Sequence, residues 1–269
     1  MKTKSSLLTI LVMVLTIILF AVACKKTTEQ YNEIVGIEEL MPLSLGKKTY
    51  FRLDSGIIVL QDTNTIPVIN RYLLREEVGS IEKNNLNQPM WKINRYLNKD
   101  TSGNGQWIEN GHYFVTIEKD QILVTENTLR FIKLVRPVRE GFNWNGNSYI
   151  ADSPYARLLE ISFPSIETNI RNWRYNYTSV NARESMPGLQ QYDSVTTVEQ
   201  INSINNIPPN YSFGSGSINA SFASKELSVE KYAKGIGLIF REQELWEFQD
   251  KNNSITIQGF FLKQWRVNR

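Results

Sequence analysis

His112 is the only histidine in the chain, so a Ser-His-Asp arrangement or a histidine-held metal would have to pass through it. It follows Asn110-Gly111 at the entry to an apolar run, and no G-x-S-x-G elbow accompanies it. A structural turn histidine is the simpler reading. One histidine excludes a multi-histidine zinc site, and the acids that a mixed site would need are not clustered. Neither a metal nor a cofactor is expected. Paired carboxylates could serve a glycosidase, which needs two acids about 5 to 9.5 Å apart across a cleft. Glu38-Glu39 and Glu76-Glu77 are adjacent in sequence, and adjacent strand residues point to opposite faces. Asp152 and Glu160, close to an aromatic loop, are the better pair for a hydrolase. Any chain this long contains such pairs by chance, so no catalytic residue is assigned and the expectation is a protein that is not an enzyme.

Aromatic and amide groups offer binding chemistry instead. Phe142 to Tyr149 places Trp144 beside Asn145 and Asn147, which gives a flat face for stacking and amides for hydroxyl groups. Asn145-Gly146 is equally a hairpin dipeptide, because a type I′ turn needs positive φ at both central residues; Trp144 would then pack on the sheet. Trp173, Tyr175 and Tyr177 share one parity, with Asn172, Arg174 and Asn176 on the other. On the concave side of a curved sheet that stripe lines a pocket, and facing a core it is packing. Gly235 and Gly237 lack the third glycine and the following helix of a phosphate cradle. In strand context they suggest a bend or bulge.

The elements that must position these residues read as strands. Short segments rich in Ile, Val, Tyr, Phe, Trp and Thr alternate with Gly, Asn, Asp and Pro clusters. The candidates are 49–60 with an interruption at Asp54-Ser55-Gly56, 68–78, 90–97, 113–118, 122–125, 129–135, 172–178, 194–200, 231–248 with a break, and 254–267. In the last, Ile255, Ile257, Phe261, Trp265 and Val267 take one parity and Thr256, Gln258, Gln264 and Arg266 the other, which predicts one buried and one wetter face. Glu118 to Gln121 reads as a tight hairpin. Short helices fit near 165–170 and 198–205, and 202–217 reads as a loop. The fold class is therefore all-β and mainly antiparallel, a β-sandwich or a curved, partly closed β-barrel with few short helices. Arg75, Glu76, Glu77 and Arg95 interrupt the outward apolar face that a membrane-spanning barrel requires.

The start of the chain carries a different signal. Lys2 and Lys4 precede a largely apolar run of 17 residues, Leu7 to Ala23, which ends on Ala21-Val22-Ala23 and then Cys24, the only cysteine. A basic start, an apolar middle and a small-residue exit make a secretory leader. With cysteine at the junction, the exit resembles the lipobox of bacterial lipoproteins, in which that thiol is acylated before cleavage. Residues 1–23 are thus expected to be a signal peptide, 24–40 a lipidated start and tether without a fold of its own, and 41–269 a single β-rich domain. Two lipid signals suffice for stable attachment to a membrane. The exported part then has no thiol for disulfides. With 30 Lys and Arg against 27 Asp and Glu, and two of the lysines leaving with the leader, it is close to neutral. A nucleic-acid partner, which calls for clustered basic residues, is set aside.

Several segments resemble a family of uncharacterised lipoproteins from Bacteroidetes: Asn127 to Leu134 with Pro137 after it, Trp144-Asn145-Gly146-Asn147, Lys231 to Ile239, Trp91 to Tyr96, and the terminal strand from Gly259-Phe260. The pattern is not kept from Phe261 to Arg269. The resemblance implies a lipid-anchored envelope protein and no particular activity. In that phylum an acidic patch after the cysteine accompanies surface export, and here Lys25-Lys26-Thr27-Thr28 stands in its place. That implies the outer membrane, anchored by lipid and facing the periplasm, with surface display as the alternative. The expected partners are the membrane, through Cys24, and a lipid, glycan or envelope-protein ligand. The leading expectation is an apolar or amphipathic ligand or a protein partner. A glycan-binding role would use Trp144, Asn145, Asn147, Trp173, Tyr175 and Tyr177, and a hydrolase would use Asp152 and Glu160.

Overall fold

The computed structural model describes residues 34–61, 68–151, 154, 170–188, 190–207, 220–251 and 254–269. Among these residues it is all-β: twelve antiparallel strands form one sheet curled into a nearly closed barrel, with a short helix of four residues before the first strand. The strands are β1 (Lys48–Gln61), β2 (Asn70–Lys83), β3 (Pro89–Asn98), β4 (Ile108–Ile117), β5 (Gln121–Glu126), β6 (Leu129–Val135), β7 (Asn143–Asn145), β8 (Arg174–Met186), β9 (Gln190–Asn205), β10 (Phe222–Ala233), β11 (Gly237–Lys251) and β12 (Ser254–Val267). Their order is β6-β5-β4-β3-β2-β1-β12-β11-β10-β9-β8-β7. The one non-sequential neighbour pair inside the sheet is β1 with β12, in register from Tyr50↔Val267 to Gln61↔Thr256. First and last strands thus form the middle of the sheet, and the two edges, β6 and β7, are consecutive in the chain.

Those edges meet through a few specific bonds. The Ile132 N–H donates to the Gly146 carbonyl at 2.8 Å, and the Trp144 indole donates to the Ile132 carbonyl at 2.8 Å. Tyr177 on β8 takes the Val135 N–H at 2.9 Å and donates its hydroxyl to the Val135 carbonyl at 2.7 Å. An edge strand's exposed amides are an aggregation hazard, and this seam covers them. Gly146 serves the seam by its lack of a side chain: a Cβ there would overlap the Tyr175 ring. Its φ is not positive. The expectation of an Asn145-Gly146 hairpin turn is therefore corrected, since β7 pairs with β8 rather than turning back on itself.

One end of the barrel is plugged by α1 (Ile37–Leu40). Val35, Ile37 and Leu40 have no exposed surface and join the main core with Val78, Ile93, Val115, Ile122 and Leu134. The tether expected over 24–40 is corrected from residue 35 onward, because Val35, with Ile37 and Leu40 three apart on one helical face, found a core to fill. The plug is tied down by the Gly235 N–H on the Glu39 carbonyl at 2.7 Å. The Lys47 ammonium also donates to the Pro42 and Ile236 carbonyls at 2.8 and 3.0 Å.

Two further expectations change. The helix proposed near 198–205 lies within β9, as do the first residues of the loop expected over 202–217. The segment 231–248 divides at its expected break into β10 and β11, with Gly235 (φ 72°) in the turn, Gly237 (φ 106°) opening β11 and a bulge just beyond it at Ile239. The Glu118–Gln121 hairpin is present, closed by the Glu118 N–H on the Gln121 carbonyl at 2.9 Å. Of the helix expected over 165–170, only Ile170 lies within the described residues.

Candidate functional site

Alternation along the strands would put apolar groups inside, yet a belt of charged side chains crosses the lumen. Lys133 on β6 and Glu230 on β10 are far apart in the sheet, so their 2.8 Å contact spans the interior. Glu230 also accepts from Arg241 Nε at 2.8 Å and from the Tyr232 hydroxyl at 2.6 Å. Arg241 reaches Glu126 on β5 at 3.9 Å. Arg95 on β3 bridges Glu126 and Glu76, and Tyr113 donates to Glu76 at 3.0 Å. Three carboxylates, Glu76, Glu126 and Glu230, thus stand against three cations, Arg95, Lys133 and Arg241, all largely buried.

The balance sets the ionisation of each group. Burial alone would raise the Glu126 carboxyl, but Arg95 and Arg241 outweigh it and hold it at about 2. Burial is likewise overcome at Glu230, where Lys133 and Arg241 bring the value to about 2. At Lys133 burial wins and lowers the ammonium despite Glu230. Burial raises both Tyr113 and Tyr232 well above the usual phenol range, and the neighbouring carboxylates Glu76 and Glu230 add to it. Glu126 and Glu230 are thereby held as carboxylates against Arg95 and Arg241, and removing one charged partner would strand another.

Irregular pairing aims several of these groups inward. β6 pairs Leu134 with Ile122 and Ile132 with Leu123, which leaves Lys133 as the extra residue of a bulge. β9 pairs Ile201 with Ser228 and Glu199 with Val229, which leaves Gln200 as another. Arg95 faces a third irregularity, two β4 residues, Asn110 and Gly111, opposite one on β3. Bulges redirect a side chain that strict alternation would place otherwise.

On the side of the belt away from α1 the lumen holds a cavity of about 580 Å³. Its floor is Glu126, Lys133, Glu230 and Arg241, and its wall carries Phe131, Trp173, Tyr175, Phe260 and Leu262 with the polar Gln200, Ser228 and Gln243. Toward α1 there is a much smaller space of about 70 Å³, lined in part by the same Glu76, Tyr113 and Arg241. Ile57 lines the larger cavity and is 52% exposed. Gln200 is 3% exposed; its Oε1 accepts the Ser228 hydroxyl at 2.7 Å, and its Nε2 has no partner among the described residues. Trp173 donates its indole N–H to Glu226 at 3.3 Å. Burial, with Glu247 adding to it, raises the Glu226 carboxyl above its usual range.

The residues expected from sequence to bind a ligand divide into two groups. Trp173 and Tyr175 line the cavity, Tyr175 with its ring, since its hydroxyl donates to Asn147 at 2.6 Å. Trp144 and Tyr177 are buried in the seam, their rings 4.7 Å apart. Asn147 braces it by donating to the Ile170 carbonyl at 2.7 Å, and the Asn145 side chain accepts the Asn147 N–H at 3.1 Å. None of these four reaches the cavity wall. His112 lies within β4, opposite Asn94, exposed and edge-on to Phe114 at 5.2 Å. Asp152 and Glu160 lie outside the described residues. No group of three or more His, Cys, Asp or Glu that could hold a metal occurs among the described residues, and none of their helices is long and apolar enough to cross a membrane. The lumen residues Lys133, Gln200 and Ser228 carry no sequence signal beyond their type; a charged residue inside an apolar strand such as 129–135 was the one clue.

No model of a known protein family matches the chain, and no curated protein matches it either.

Proposed function

We propose that this chain is a lipid-anchored protein of the cell envelope that holds an apolar or amphipathic small molecule in its barrel lumen and performs no chemistry on it. The observation that carries the reading is the aromatic-walled cavity of about 580 Å³ above a charged floor. Small-molecule sites run from roughly 300 to 1,000 Å³, mostly apolar with a few placed polar groups. Each belt carboxylate is engaged by two or more hydrogen-bonding or ion-pair partners, which favours carriage over acid-base catalysis. The leader, Cys24 and the lysines after it support an outer-membrane protein facing the periplasm.

The test is native mass spectrometry of the full-length protein extracted from its own envelope. One lipophilic molecule per chain is expected, lost in Ser228→Phe and in Ser55→Phe, either of which fills the lumen. A protein that carries no such molecule and does not bind the neutral fluorophore N-phenylnaphthylamine would end the reading. An oligosaccharide in its place would transfer the site to the glycan-binding alternative through Trp173 and Tyr175.

A further inference from the structure

We infer that the inner end of the lumen takes a neutral carbonyl, that of an ester or amide, in preference to an ion; this rests on reading the cavity as a small-molecule site. The first observation is Gln200. Its side chain is the extra residue of the β9 bulge, its oxygen is occupied by the Ser228 hydroxyl, and its Nε2 is buried without a partner among the described residues. A buried donor left unpaired costs about 1–3 kcal/mol, so a site that keeps one favours a ligand that accepts from it. Of the described residues that line the cavity, Gln200 alone carries a buried side-chain polar atom without a partner, and that atom is a donor, so the match is to an acceptor.

The second observation is the charge of the floor. Ser228 lies two residues from Glu230 on β10, and Glu230 with Lys133, Arg241 and Glu126 belongs to the belt in which three acids face three bases. A carboxylate entering here would be a fourth anion beside a balanced, largely buried network, with Glu226 on the same strand and Glu247 on the next. An ammonium would meet Lys133 and the donor face of Gln200. Burying either ion unpaired is far more costly than burying a hydrogen-bonded carbonyl. A neutral acceptor satisfies the amide and leaves the ion pairs as they are, with its hydrocarbon part against Phe131, Trp173, Tyr175 and Phe260.

The experiment is displacement of N-phenylnaphthylamine from the full-length protein at pH 7 by four probes of one chain length: methyl tetradecanoate, tetradecanoate, tetradecylamine and tetradecane. The ester is expected to bind at least tenfold more tightly than the carboxylate or the amine. Gln200→Leu should weaken the ester about tenfold and leave tetradecane unchanged. Gln200→Glu, close in size to the native residue, should cost the ester at least as much and move the preference toward the amine; it keeps the test valid should the leucine variant fold poorly. A carboxylate or amine that binds as tightly as the ester, or ester affinity within twofold of wild type in both variants, overturns the inference while the lumen remains a binding site. If neither the fluorophore nor any of the four binds, the reading of the cavity falls with it.

Discussion

The two ends of the barrel are filled differently, and the belt between them separates the two solutions. At the α1 end, Val35, Ile37 and Leu40 pack against the strands until only about 70 Å³ remains. At the other end the same strands leave about 580 Å³. The plugged end is an ordinary close-packed core. The open end has aromatic walls whose polar tips are tied into the wall, as with the Tyr175 hydroxyl on Asn147. The contrast teaches that the belt acts as a partition: its ions hold strands from both halves of the sheet at a fixed separation, which side chains fill on one side only.

Breaking the partition should have the largest effect. Glu230→Leu strands Lys133 and Arg241, and removing one partner of a buried ion pair costs about 3–5 kcal/mol; urea unfolding measures it, and a loss under 1 kcal/mol would contradict the role given to the belt. Acid should do the same by protonation. Glu126 and Glu230 sit at about 2 against an ordinary 4.5, so their contribution is complete above pH 4.5 and disappears as pH falls toward 2. In thermal melts over that range, Glu126→Gln should flatten the decline.

The plugged end should respond in stability alone. Leu40→Ala is expected to cost about 3 kcal/mol, the usual scale for a buried leucine, with N-phenylnaphthylamine affinity unchanged. A change in affinity would mean that the two ends are coupled through the belt. Gly146→Ala tests the seam, where the added methyl must displace the Tyr175 ring, at a cost of about 1–3 kcal/mol. The smallest effect belongs to the outer face. Arg183 and Asp193 pair at 2.5 Å but are 73% and 72% exposed, so Arg183→Ala should leave the melting temperature where it is.

Segments 129–135 and 254–267 were legible to the residue because apolar β-branched and aromatic residues fill them and polar turn residues bound them. The three-residue β7 was too short for any period to register. The tether was misread over Val35, Ile37 and Leu40 because three apolar residues among charged ones form a core only when a barrel end is there to receive them. β12 shows the deeper limit. Its odd-numbered face was expected to be the buried one, yet Gln264 on the even face is 1% exposed. Phe260 and Leu262 share that face and line the cavity. The odd-numbered Ile257 and Trp265 pack in clusters separate from the main core, with Trp246 and Phe240, while Phe261 both joins the Trp246 cluster and lines the cavity. Both faces are covered, so polarity could not tell inside from outside.

Of the candidate site, Trp173 and Tyr175 were within reach of parity, since alternate residues share a face whatever the fold. Lys133, Gln200 and Arg95 were not. Each sits at a slip in strand register, and a slip is set by how neighbouring strands pair, which no single strand encodes. The sequence by itself determined an all-β chain, most of its strand positions and the leader-like start ending at Cys24, because those depend on local residue type and spacing; β7 and most of β10 escaped it. Only the tertiary structure decided which face became the lumen, that six charges from six strands would neutralise one another across it, and that one end would be plugged. Those outcomes depend on groups over a hundred residues apart, such as Glu126 and Arg241, brought together by closure of the sheet.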